Sequence, residues 1–145
     1  MKILIIIFLL APLLCFAAPP QGDFVGSRTC SFEGTFYIFN LTKTALEKSP
    51  KWNPDKSEFP SMSPKQAQVS ALKQITKLLP GYQQHMHIYT ITLEALYDTV
   101  WVYLVTYDYF PPNGSTGPPR RFTVPVYFDG STITPEIRVV NQSSS

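Results

Sequence analysis

The stretch Ser63-Pro64-Lys65-Gln66 constrains this chain more than any other, because it fixes where a helix begins. Serine at the cap, proline at the first helical position and glutamine three residues after the cap make a capping box. The Ser63 hydroxyl accepts from the Gln66 amide, and the Gln66 side chain reaches back to the cap. Behind it Ala67, Ala71, Leu72, Ile75, Leu78 and Leu79 recur at helical spacing and form one apolar stripe. Gln68, Lys73, Gln74 and Lys77 fall on the wet side. Lys73 and Lys77 suit the negative end of the helix, and Pro80-Gly81 stops it. The pattern predicts a helix over 64–79.

After Gly81 the apolar period changes to two. His87 to Leu93 reads as a strand, Glu94 to Thr99 as a short connection and Val100 to Phe110 as a long strand. The long strand is apolar on both faces, which predicts a central position. Pro111 to Pro119 is a loop with Asn113-Gly114 as its turn. Arg121 to Phe128 then places Phe122, Val124, Val126 and Phe128 on one face. Pro125 lacks an amide hydrogen, so that strand is an edge or is bulged there. Asp129-Gly130 turns the chain into a last strand over 132–140, where Ile133, Ile137 and Val139 align and Pro135 weakens the ladder. With no crossover helices between strands, the chain predicts an α+β fold: one amphipathic helix on an antiparallel sheet of four to five strands.

The other end of the chain is of a different kind. Met1 and Lys2 lead into an apolar run from Ile3 to Leu14, and Cys15 and Ala17 suit the positions three and one before a cleavage point. These are the parts of a secretory signal peptide over 1–17, cut between Ala17 and Ala18. The run is shorter than the roughly 20 residues a membrane span needs, so no stable membrane anchor is expected. Leu14 stands before Cys15, where a lipoprotein site wants a small residue.

Residues 18–62 read as an N-terminal strand and a proline-rich loop, and 63–140 as the helix-and-sheet domain. Residues 18–27 are a Pro/Gly-rich tether, and Thr29 to Leu41 is a strand apolar on both faces. Lys43 to Lys48 forms a turn or two of helix. Ser49 to Met62, with Pro50, Pro54 and Pro60, is excluded from regular helix or central strand. The tail 141–145 is polar and is expected to be disordered.

Charge and cysteine content exclude whole classes. Loss of Lys2 with the signal leaves eleven basic and ten acidic residues, and only Arg120-Arg121 cluster. No basic stripe exists for nucleic acid. Once Cys15 leaves, Cys30 is the one cysteine, so neither an internal disulfide nor a cysteine metal site can form. Cys30 then reads as a buried, inert thiol, with an intermolecular disulfide as the alternative.

No catalytic, cofactor-binding or metal-ligating set appears. His85 and His87 share the spacing of two strand ligands but lack a third. Asp98, Asp108 and Asp129 sit in or beside strands or turns; Asp108 reads as a solvated carboxylate and Asp129 as a turn residue. An enzyme or ligand site assembled from scattered residues such as His87, Asp108 and Tyr107 is the alternative. Two aromatic groups are candidates for a partner surface. Trp52 and Phe59 either pin the proline-rich loop or present it to a partner. Trp101, Tyr103, Tyr107 and Tyr109 share one face of the long strand, where they either pack or stack on a ligand. Asn40, Asn113 and Asn141 open glycan-acceptor triplets that matter only in a eukaryotic secretory pathway.

The order of pieces resembles the PepSY-type module of exported bacterial proteins. The pieces are Ser63-Pro64-Lys65-Gln66-Ala67, the strand from Val100 to Tyr109, and Val124-Pro125-Val126-Tyr127-Phe128-Asp129-Gly130. Trp52-Asn53-Pro54 and Pro60 are similar to a W-x-P segment that precedes the helix in small exported bacterial proteins. The proline-rich loop 111–119 and Pro135 depart from the pattern. The resemblance implies inhibition or regulation at the cell envelope, in the periplasm or outside the cell, and it assigns no functional residue. A cystatin-like inhibitor shares the helix-on-sheet shape, but Gln66-Ala67-Gln68-Val69-Ser70 lies inside the helix and lacks that family's glycine. The function expected is an exported non-enzymatic binding or regulatory module for a protein or peptide partner, protease inhibition included. A small-ligand protein or enzyme, and a structural envelope protein, are the alternatives.

Overall fold

The computed structural model describes residues 22–97, 99–114 and 117–140; the expected signal peptide, the cleavage expected between Ala17 and Ala18, Asp98, Asn141 and the tail lie outside them. The fold is α+β. In chain order it comprises β1 (Phe24–Phe32), β2 (Thr35–Thr42), a short helix α1 (Lys43–Lys48), the main helix α2 (Pro64–Leu78), a 3-10 turn over Gln83–His85, β3 (Met86–Tyr97), β4 (Val100–Tyr109), β5 (Arg120–Val126) and β6 (Glu136–Val139). All strand pairs are antiparallel and form two three-stranded sheets, β1-β2-β6 and β3-β4-β5.

The expected single sheet of four to five strands is therefore corrected to six strands in two sheets, for two local reasons. The expected strand from Thr29 to Leu41 is a hairpin, folded at Glu33 and Gly34, whose φ angles of 49° and 71° match a tight two-residue turn. Its first arm begins at Phe24, inside the segment expected to be a tether. The last strand also leaves its expected neighbour. After the Asp129-Gly130 turn a single bridge joins Val126 and Thr132, and β6 then pairs with β2 over Glu136–Val139. Pro135, without an amide hydrogen, stands just before that pairing begins. Glu94 to Thr99, expected as a connection, is largely strand: β3 runs on to Tyr97 through two register shifts.

The main helix begins as its sequence dictates. Ser63 Oγ accepts from the Gln66 amide at 3.3 Å, and Gln66 Oε1 accepts from the Ser63 amide at 2.8 Å. Ala67, Ala71 and Ile75 are fully buried, and the two alanines let the helix approach the sheet closely. The stripe is narrower than expected, because Leu72 is exposed and Gln74 is buried. The Gln74 amide is buried at no loss of hydrogen bonding: its Nε2 donates to the Ile133 carbonyl at 3.2 Å, and its Oε1 accepts from Thr132 Oγ1 at 3.1 Å. These bonds fasten the segment after β5 to the helix. Gly130 is required on the same path, since its φ is +83° and a Cβ there would lie 3.3 Å from Met62 Cε.

Beneath the helix lies the face of Tyr103, Val105 and Tyr107 on β4 with Val124 and Val126 on β5. Leu104 points the other way with Val102, toward Leu41 and Leu46 of β2 and α1. The two sheets meet through Phe122 on β5. Its ring makes edge contacts with Phe32, Tyr37 and Phe39, at centroid separations of 6.1, 5.0 and 6.2 Å. The N-terminal hairpin thus shares a core with the helix.

Ile75→Ala should cost about 2–5 kcal/mol through lost transfer energy and a residual cavity. Lys73→Ala, on the exposed side, should be nearly silent. Denaturant titration that found the two variants equally stable would place the helix in the wrong phase.

Candidate binding surface

Most of the aromatic row on β4 belongs to the core. Tyr103, Tyr107 and Tyr109 are all buried. Tyr103 donates to the Met62 carbonyl at 2.8 Å and Tyr107 to the Gln68 carbonyl at 3.1 Å, which pins the start of α2 to the sheet. Burial raises the Tyr103 phenol and pushes that of Tyr107 up to about 12, so both hydroxyls stay protonated donors. Tyr109 packs edge-on against Phe32 and Tyr82.

The other three aromatics come together at the opposite end of β4. Trp52 packs on Trp101 at a centroid separation of 5.0 Å, and its indole N–H donates to the Ser57 carbonyl at 3.0 Å. Trp52 and Phe59 line an open groove of about 390 Å³ with Lys51, Asn53, Lys56 and Thr99. Trp52 therefore pins the loop, whereas Phe59, 70 % exposed, pins nothing. The Lys51 ammonium is already committed to the Leu46 carbonyl at 2.6 Å.

A second surface arises from strand pairing, which no local motif announced. β3 lies at the end of its sheet, and among the described residues no strand pairs with its outer edge. β5, at the other end, is covered: β1 packs beside it, and the Cys30 thiol donates to the Thr123 carbonyl at 3.9 Å. Along β3, His87, Ile88 and Tyr89 are exposed. The register sets His87 opposite Asp108, and Asp108 opposite Arg121. Arg121 Nε donates to Asp108 Oδ1 at 3.0 Å, and its guanidinium lies 3.8 Å from the centroid of the Tyr89 ring. A register shift between Ile88 and Thr90 allows for Tyr89 as the extra residue of a bulge. The bond to Asp108 is the chief reason that the Arg121 guanidinium is held above its ordinary range.

Asp108, expected in solvent, is thus buried with a charged partner. Tyr107 points to the other face, so His87, Asp108 and Tyr107 do not converge. Further along the same outer face Arg28 of β1 forms an ion pair with Glu94. That contact and the packing of Leu41 and Leu46 on Val102 leave the Met86–Thr92 half of β3 more open than the rest.

The remaining sequence candidates stay apart. The His85 ring lies 6.3 Å from Tyr109 and the His87 ring 5.5 Å from Phe110. Among the described residues no three His, Cys, Asp or Glu side chains gather into a metal-binding group. Asp129 Oδ1 accepts from the Ser131 amide at 2.8 Å and closes its own turn. Asn113 stands exposed in the loop after β4, and Asn40 is half-buried in β2. No helix among the described residues is long and apolar enough to cross a membrane.

Comparisons of the chain with protein-family models, with curated proteins and with solved structures find no match.

Burial pushes the Cys30 thiol up to about 11 and outweighs an opposing hydrogen bond with the Thr123 backbone. The half-buried thiol's contribution to stability is present below the unfolded thiol's ordinary range and lost as pH rises through about 11. Iodoacetamide at about pH 8 should therefore modify the native protein far more slowly than the denatured chain. Equal rates would show that Cys30 is an accessible thiolate.

Proposed function

We propose that this chain is an exported, non-enzymatic binding or regulatory module that takes an extended segment of a protein or peptide partner along the open edge of β3. The observation that carries the reading is the one-sided pairing of β3, a twelve-residue strand with β4 on one side and, among the described residues, no strand on the other. Unpaired backbone donors and acceptors along an edge are a template for an added strand, and side chains on alternate positions supply the specificity. Ile88 and Tyr89 offer apolar area at 44 % and 53 % exposure, and Arg121 holds the Tyr89 ring in place.

Two concavities support this reading over a small-ligand site. One is the groove beside Trp52; the other lies at the tip of the β1–β2 hairpin and is lined by Glu33, Arg120 and Val139. Both are open to solvent, and neither gathers the convergent buried polar groups that an enclosed ligand site uses. A PepSY-like role in inhibition or regulation at the cell envelope fits the same surface. In such a role the bound segment belongs to the protein being regulated.

Affinity capture from the exported proteins of the source organism, followed by hydrogen exchange on the recovered complex, tests the reading. Protection should appear along Met86–Thr92. Ile88→Lys, which puts a charge on the edge, should weaken capture by about tenfold or more without changing the melting curve. Protection confined to the groove of Trp52 and Phe59, or on neither surface, would refute the β3 assignment.

A further inference from the structure

The second sheet also ends in an open strand, and its sequence is complementary to itself. β6 pairs with β2 on one side, and among the described residues no strand pairs with its other side. All four of its residues, Glu136, Ile137, Arg138 and Val139, are exposed. The register with β2 sorts them by face. Ile137 stands opposite Tyr37 and Val139 opposite Thr35, on the side that carries the core. Glu136 and Arg138 stand opposite Ile38 and Phe36 on the outer side. Tyr37 is buried, but Ile137 and Val139 are 53 % and 69 % exposed, so the apolar face continues past the core onto uncovered side chains.

We infer that β6 is a self-association edge, and that its partner is the β6 of a second copy of this chain, antiparallel about a two-fold axis at Ile137. The charge order selects this register. With Ile137 opposite Ile137, Glu136 of each copy faces Arg138 of the other, twice by symmetry. Each Arg138 already donates to Glu136 of its own strand at 2.7 Å. Four charges then alternate in sign around a square, with the exposed Phe36 rings beside them. On the opposite face Ile137 meets its own mate across the axis, so these two exposed side chains cover one another, and Val139 lies opposite Pro135, which is buried in its own chain. Facing opposite charges and apolar pairs are the interactions that stabilise a sheet, and a two-fold axis realises each of them twice. The two sheets become one of six strands, ordered β1-β2-β6-β6-β2-β1. This surface is distinct from the β3 edge and does not rest on the function proposed for it.

Sedimentation over a concentration series, with charge-reversed variants, tests the inference. The wild-type chain should dimerise with rising concentration. Glu136→Arg alone and Arg138→Glu alone each set like charges opposite one another, and each should weaken association by about tenfold or more. An equimolar mixture of the two variants restores both facing pairs and should recover a mixed dimer. The double reversal Glu136→Arg/Arg138→Glu should dimerise like the wild type, which keeps the test decisive if a single variant folds poorly. A chain that stays monomeric throughout, a dimer indifferent to the single reversals, or variants that melt normally yet do not pair on mixing would overturn the inference.

Discussion

The packing of Phe122 against Phe32, Tyr37 and Phe39 is the contact on which the arrangement of the two sheets depends. Phe122 sits on β5, and its three partners come from both arms of the N-terminal hairpin. The interlock holds β1 alongside β5, where the Cys30 thiol reaches the Thr123 carbonyl. One end of the β3-β4-β5 sheet is thereby covered. The opposite end, β3, has no such neighbour among the described residues. The surface proposed to bind a partner is thus a consequence of how the core is closed on the other side.

The aromatic residues divide by what lies beneath them. Tyr103 and Tyr107 use their rings as core and their hydroxyls as fasteners for α2 and the loop before it. They are committed to the fold, and their raised phenol values follow from that burial. Tyr89 lies on the outermost strand, and the Arg121 guanidinium stacks on its ring. An aromatic near solvent and braced by a charge loses little side-chain freedom when it meets a partner. The same residue type thus serves the core on β4 and the surface on β3.

Much of the fold was legible where the signal was local. The cap at Ser63, the short helix at Lys43–Lys48, the central position of β4 and the edge position of a strand containing Pro125 each follow from a residue's own chemistry. What failed depended on pairing across long separations. Glu33-Gly34 is a weak turn signal inside an aromatic run, so the hairpin read as one strand. The destination of β6 is set by β2, about a hundred residues earlier in the chain, and nothing within Thr132 to Val140 names that partner. Gln74 and Asp108 read as wet because their partners, Thr132 with Ile133 and Arg121, come from other elements. The candidate surface was illegible for the same reason. A strand apolar on both faces identifies β4 as central, but only the register shows that β3 is left with an open side.

Native-state hydrogen exchange of the free protein, read amide by amide along β3, tests that open side directly. Amides bonded to β4 should be protected and those on the outer side should exchange rapidly, in alternation along Met86–Thr92 with the phase broken at Tyr89. Uniform protection of every amide in that stretch would mean that another part of the chain already covers the edge, and β3 could not accept a partner strand.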